Sequence, residues 1–201
     1  MTARLSRIQL LRRGAVGGGA LVLSGSAIAS LAERASAATV PDTDLAYLRL
    51  LIGAELLAAD FQAQALASGK LGKSTGAVFR KMAADEKAHY AALAQLLTTA
   101  GQTPATQDDI DFSYPKGTFA SEASITKGAA EIETMILGTY LGSLENIQTG
   151  ELRLPIGQIA ANEAQHVGAL AALAGRTVIG RPFAASLQID AASAALDKFE
   201  S

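Results

Sequence analysis

The sequence predicts an all-α protein: a four-helix bundle with one long crossover connection, preceded by an N-terminal export segment and followed by a short helical tail. Three observations carry this. The chain is 49% apolar but only 5% aromatic, with no Trp, and such an alanine-rich, leucine-studded composition favours closely packed helices over a sheet. Its two histidines each follow a glutamate by three residues, in Glu86-x-x-His89 and Glu163-x-x-His166, so each pair falls on one helix face, one turn apart. Breaks rich in Gly, Pro and polar residues then divide the chain after residue 40 into four stretches of helical period.

Residues 1–37 are a different kind of sequence. Arg4, Arg7, Arg12 and Arg13 form a cationic start, Gly14 to Ala32 runs without a charge, and Ala35-Ser36-Ala37 offers a small-residue cleavage site. That order is the order of an export signal. With Arg12-Arg13 and a weakly apolar, glycine-containing run it resembles a twin-arginine signal, although Leu11 precedes the pair and no Phe follows closely. The alternative is an uncleaved membrane anchor, since the run approaches a bilayer span; its Gly and Ser content favours the signal. Export to the periplasm, the cell envelope or the exterior is therefore expected, with no stable membrane span after cleavage. Removing this segment takes five of the 17 basic residues and one of the 19 acidic ones, leaving a net charge of about −6 that argues against nucleic acid as a partner. With no Cys there are neither disulfides nor thiolate metal sites.

The bundle is expected over 38–175. Pro41-Asp42-Thr43-Asp44 reads as a helix start with acid in its first turn. The first helix should run over 43–68, with Leu48, Ile52, Ala59 and Leu66 as its stripe and Glu55 within it. Gly69-Lys70-Leu71-Gly72 is a tight break. The second helix should cover 74–99 with the stripe Phe79, Met82, Glu86, His89, Leu93, Leu96, closed by Gly101. Residues 101–120 make a long polar connection. A third helix over 121–146 carries Thr126, Ala129, Glu133, Ile136, Tyr140 and Ser143. A fourth begins near Pro155 and ends at Ala174; its stripe Ile156, Ile159, Glu163, His166, Leu170, Leu173 repeats the offsets of the second at a separation of 77 residues. The hairpin is thus internally repeated. The tail, 176–201, should hold a short helix over 184–199.

The turns set the level of the glutamates. Glu55 and Glu86 are equidistant from the first turn, and Glu133 and Glu163 from the second, each some 15 residues away, or about 22 Å along a helix. Each hairpin therefore sets two glutamates face to face. Helices of this length measure about 39 Å, and twenty extended residues reach up to about 66 Å, so the connection can run the length of the bundle and set helices two and three parallel.

Glu55, Glu86-x-x-His89, Glu133 and Glu163-x-x-His166 together resemble the di-iron carboxylate site of the ferritin-like family, whose pattern is one Glu from each of two helices and one Glu-x-x-His from each of the others. The stretch from Glu133 through Tyr140-Leu141-Gly142 resembles a subgroup of exported ferritin-like-domain proteins. The resemblance covers residues 43–174 and implies a ferritin-like fold, six metal ligands (Glu55, Glu86, His89, Glu133, Glu163, His166), two Fe ions, and reaction with O2 or peroxide in a ferroxidase, oxidase or peroxidase manner. Independently of any family, four carboxylates balance two divalent ions, and carboxylate with imidazole suits Fe, Mn or Zn. Glu133 is preferred over Glu131, which should point about 200° away. Asp85 and Asn162 are placed either to hydrogen-bond the far ring nitrogen of a ligand histidine or to stand as solvated helix positions. Tyr140, two turns from Glu133, reads as a core tyrosine or a neighbour of the site, and Gln62 holds the corresponding place after Glu55. Two readings compete with redox turnover: a metal-binding or stress-protection protein without catalysis, and an interaction module with a vacant site. An oligomer is compatible with all three.

Overall fold

The computed structural model describes residues 40–200; the segment read as an export signal lies outside the described residues. Within them the regular elements are helices: α1 (Asp42–Ala67), α2 (Lys73–Thr99), α3 (Glu122–Asn146), α4 (Gly150–Leu173) and α5 (Ile189–Leu196), with single 3-10 turns at Gln107–Asp109 and Asp197–Phe199. The first turn is tight because Gly69 takes a left-handed φ of 67°, which costs glycine nothing.

The direction of each helix follows from contacts at the two ends of the bundle. At one end, the Glu122 carboxylate opening α3 accepts from Gly72 N at 2.5 Å and from Thr75 Oγ1 at 2.7 Å, so α2 and α3 begin at the same end of the bundle and run parallel. At the other end, Asp44 in the first turn of α1 accepts from Gln148 N at 3.0 Å and Thr149 N at 2.8 Å, which sets α1 antiparallel to α3. Asp44 and Glu122 are 78 residues apart, so the first helix of each hairpin grips the start of the other hairpin's second helix. Free N–H groups at a helix start need such acceptors. The crossover travels back along α1 and α2, fastened by Tyr90 Oη to Ala105 O at 2.9 Å and Tyr114 Oη to Asp60 Oδ2 at 2.8 Å. The result is a four-helix bundle in which the packed pairs α1/α2, α3/α4, α1/α3 and α2/α4 are each antiparallel, as one crossover requires.

Three expectations need correction. Helix α4 begins at Gly150, not near Pro155, which stands inside it. Proline favours the first turn because it lacks an N–H, but here Asp44 and the Arg153 guanidinium, which donates to Ile147 O at 2.8 Å, fix the turn and let the helix start earlier. Helix α1 is not a one-stripe helix: every residue from Leu50 to Ala58 is buried, while Ala59 and Leu66 are only partly covered. It packs on α2, α3 and α5 together. By length and composition it could cross a membrane, yet 67% of its most apolar window is buried within the bundle. The tail helix starts at Ile189 instead of 184, because the preceding segment lies extended on α3. Leu187 N donates to Gly138 O at 2.8 Å, and a Cβ on Gly142 would stand 1.8 Å from Leu187 O. Only glycine admits that approach. Ala192 and Leu196 of α5 are then fully buried.

Candidate metal centre

The stripes of α2 and α3 face inward in full, and that of α4 does so except for the partly covered Leu173. Glu55 from α1, Glu86 and His89 from α2, Glu133 from α3, and Glu163 and His166 from α4 meet at one level of the core, each between 0% and 8% exposed. Glu131 points outward, with its side chain 66% exposed beside Lys127. The sequence pattern thus selects the right glutamate of the two for convergence.

His89 Nδ1 lies 2.9 Å from Glu163 Oε1, 3.3 Å from Glu86 Oε2 and 3.4 Å from Glu55 Oε2. His166 Nδ1 lies 3.1 Å from Glu86 Oε1, 3.4 Å from Glu163 Oε2 and 3.5 Å from Glu133 Oε2. The six side chains therefore divide into two sets of four, Glu55/Glu86/His89/Glu163 and Glu86/Glu133/Glu163/His166, and within each set the donor atoms lie within 4.8 Å of one another. Glu86 and Glu163 belong to both.

Charge alone does not stabilise this cluster. Glu55 Oε2, Glu133 Oε2, both oxygens of Glu163 and His166 Nδ1 are buried without an aligned hydrogen bond, although charged partners stand nearby. Buried polar atoms left so are costly. Protons compensate in the metal-free chain. Burial above all, with repulsion from Glu163 and Glu86, holds Glu55 well above the usual carboxylate range, against the pull of His89. Glu133 is raised in the same way, by burial and then by Glu86 and Glu163, against His166. Burial would raise Glu86 as well, but hydrogen bonds from His166, His89 and Glu55 bring it down to about 2. For His89 burial acts to lower the value, and Glu163, Glu55 and Glu86 outweigh it, pushing the imidazole up to about 12; His166 is raised likewise by Glu133, Glu163 and Glu86.

The cluster is braced from the neighbouring helices. Gln62 on α1 donates through Nε2 to Glu133 Oε1 at 3.0 Å and Glu86 Oε1 at 3.1 Å. Tyr140 on α3, fully buried, donates its hydroxyl to Glu55 Oε1. Each side chain two turns beyond a lone glutamate thus serves the other helix's glutamate, a cross-exchange that a single helix pattern does not reveal. Asp85 Oδ2 stands 3.4 Å from His166 Nε2 and is paired with Lys81; among the described residues no hydrogen bond joins Asn162 to His89. Of the two readings open for these positions, Asp85 takes the one that faces a ligand histidine, and Asn162 does not.

The family model for the ferritin-like domain matches residues 43–176. The chain belongs to the ferritin-like domain family. No curated protein matches it. In this ferritin-like domain the donor set fits a metal: oxygen and nitrogen donors about 2.0–2.2 Å from a shared ion stand roughly 3–4 Å from one another, close to the His–Glu separations above, and the orphaned atoms are those that an ion would satisfy. The buried Glu/His cluster could therefore hold metal.

Proposed function

We propose that Glu55, Glu86, His89, Glu133, Glu163 and His166 hold a pair of divalent transition-metal ions, iron in the first place with Mn or Zn as alternatives, and that the exported protein uses them in ferroxidase, oxidase or peroxidase-type chemistry. One observation carries this reading: the two four-donor sets share Glu86 and Glu163, so both carboxylates would help to hold each of two ions. Glu55 and His89 would complete one position, Glu133 and His166 the other. Four carboxylates match the charge of two divalent ions, whereas without cations so many buried acids are costly. An iron pair, when bound, would supply redox chemistry toward O2 or peroxide, each Fe(II) giving up one electron on going to Fe(III). The chain's own residues orient and protect: Tyr140 fixes Glu55, Gln62 fixes Glu86 and Glu133, and burial keeps bulk water out. The six side chains are each no more than 8% exposed, and such enclosure favours a reaction partner as small as O2 or peroxide.

The same enclosure favours a second reading, a metal-binding or stress-protection protein that does not turn over. We further propose that residues 1–37 direct export by the twin-arginine route, which carries folded proteins and so permits metal loading beforehand.

Metal analysis of the protein purified from its native host tests the centre. About two ions per chain are expected, lost in the Glu86→Ala/Glu163→Ala double variant. Near-absence of metal, with melting unchanged on adding Fe(II), would overturn the reading. Oxygen consumption on adding Fe(II) then separates turnover from simple binding.

A further inference from the structure

The two hairpins are repeats, yet the residues around the two halves of the centre are not. Positions 85 and 162 are equivalent in the repeat and carry Asp and Asn; positions 62 and 140 are equivalent and carry Gln and Tyr. These differences fall unevenly. Around the Glu133/His166 half, Gln62 Nε2 holds Glu133 at 3.0 Å and Glu86 at 3.1 Å, and the far nitrogen of His166 faces Asp85 at 3.4 Å. Three of that half's four side chains are therefore oriented before any ion arrives. Around the Glu55/His89 half, Tyr140 orients Glu55, Gln62 holds the shared Glu86, and His89 Nδ1 stands 3.3 Å from Glu86 Oε2, but no carboxylate among the described residues faces His89 Nε2 as Asp85 faces His166; Glu163, common to both halves, is oriented by neither.

A histidine that donates from Nε2 to a carboxylate presents the lone pair of Nδ1 and is fixed in rotation, which strengthens it as a ligand. In this chain Nδ1 is the atom that both rings turn toward the shared glutamates. Asp85 supplies that orientation to His166, and the Lys81 ammonium in turn holds Asp85. Gln62 adds a neutral donor that orients two carboxylates without competing for the cation.

We propose that the two metal positions are inequivalent: the position framed by Glu133 and His166 fills first and more tightly, with Asp85 as the positioning residue that sets the difference. The inference rests on the two-ion reading above and deepens it. It implies an occupancy order in which a one-metal form, loaded at His166, precedes the filled centre.

The test uses the protein from its native host, stripped of metal and titrated with Co(II), followed by visible absorption and calorimetry, with circular dichroism to confirm folding of each variant. Two resolved steps are expected. Asp85→Asn should weaken the tighter step about tenfold while leaving the weaker step within about twofold, and Asp85→Glu should restore much of the loss. His166→Ala should abolish the tighter step, and His89→Ala the weaker one. A single step in which both ions bind together, or an Asp85→Asn variant in which both steps weaken alike, overturns the positioning role while leaving the two-ion centre standing. Failure of the unaltered protein to bind Co(II) overturns both.

Discussion

Replacing Gly142 by alanine should loosen the protein although alanine is the better helix former. At an unobstructed helical position Gly→Ala gains about 0.8–1 kcal/mol. At Gly142 the new Cβ would lie 1.8 Å from Leu187 O and 2.7 Å from Leu187 C, both backbone atoms, so the extended segment before α5 must leave the α3 surface. Its departure forfeits the hydrogen bond from Leu187 N to Gly138 O, about 1 kcal/mol. It also forfeits most of the partial burial of Leu187, about 1–1.5 kcal/mol, and the side-chain bonds of Gln188 with Asn146 and Glu145, a few tenths each at the surface. Set against the propensity gain, the variant should be about 1–2 kcal/mol less stable, a fall in Tm of roughly 3–6 °C for a chain of this size. Gly157→Ala is the control: its Cβ would meet nothing nearer than Leu144 Cδ2 at 4.0 Å, so it should stabilise. Urea denaturation measures both, and limited proteolysis of the exposed stretch 174–185 should be faster in Gly142→Ala alone. Equal stabilisation by the two substitutions would refute the reasoning.

Three further outcomes are expected. Asp44→Ala, which strips acceptors from Gln148 N and Thr149 N, should cost about 2–3 kcal/mol and Asp44→Asn less, as read by denaturant unfolding; no loss in either would mean that the turn holds itself. Tyr140→Phe should lower metal-free stability by about 1–3 kcal/mol, because Glu55 Oε1 loses its donor, while Co(II) stoichiometry stays unchanged; a lost ion would give the hydroxyl a larger part. The third outcome concerns pH. His89, raised to about 12, and His166, also raised, contribute stability that is complete below the ordinary histidine value of 6.5 and lost as pH climbs through the raised values. Glu55 and Glu133 carry the same sign, complete below 4.5 and lost on going upward, whereas Glu86 contributes above 4.5 and loses it as pH falls through about 2. The metal-free fold should therefore weaken from pH 5 to pH 8. Added Co(II) should stabilise more at the higher pH and release protons into buffer, since metal displaces them; a pH-independent Co(II) effect would contradict this.

Much of the centre was legible because it lies on helices. A three-residue spacing fixes which side chains share a face, and equal distances from a tight turn fix which glutamates share a level, so Glu55, Glu86, His89, Glu133, Glu163 and His166 could be placed together without coordinates. Glu131 was set aside on helical angle alone and is exposed. What escaped depends on contacts between distant segments. The start of α4 was misplaced because Pro155 is a local signal, and the contact that overrides it comes from Asp44, 104 residues earlier. The tail helix was begun too soon because the glycine pair that accepts the extended segment lies in α3. The stripe assigned to α1 was too narrow because one helix packed by three neighbours loses its periodic pattern. Gln62 and Tyr140 were visible as equivalent positions, but their exchange across α1 and α3 follows only from the crossover geometry.

The paired grip of Asp44 and Glu122 makes each hairpin the other's missing half. The first hairpin cannot finish its own α2 start without Glu122, the second cannot finish its α4 start without Asp44, and the same reciprocity links Gln62 to Glu133 and Tyr140 to Glu55. A chain severed in the crossover should therefore behave as an obligate pair of fragments. Neither would retain a complete set of four donors, and the two should reassemble, with metal favouring the joined form over the separate halves. The covalent link then mainly raises the local concentration of one half around the other.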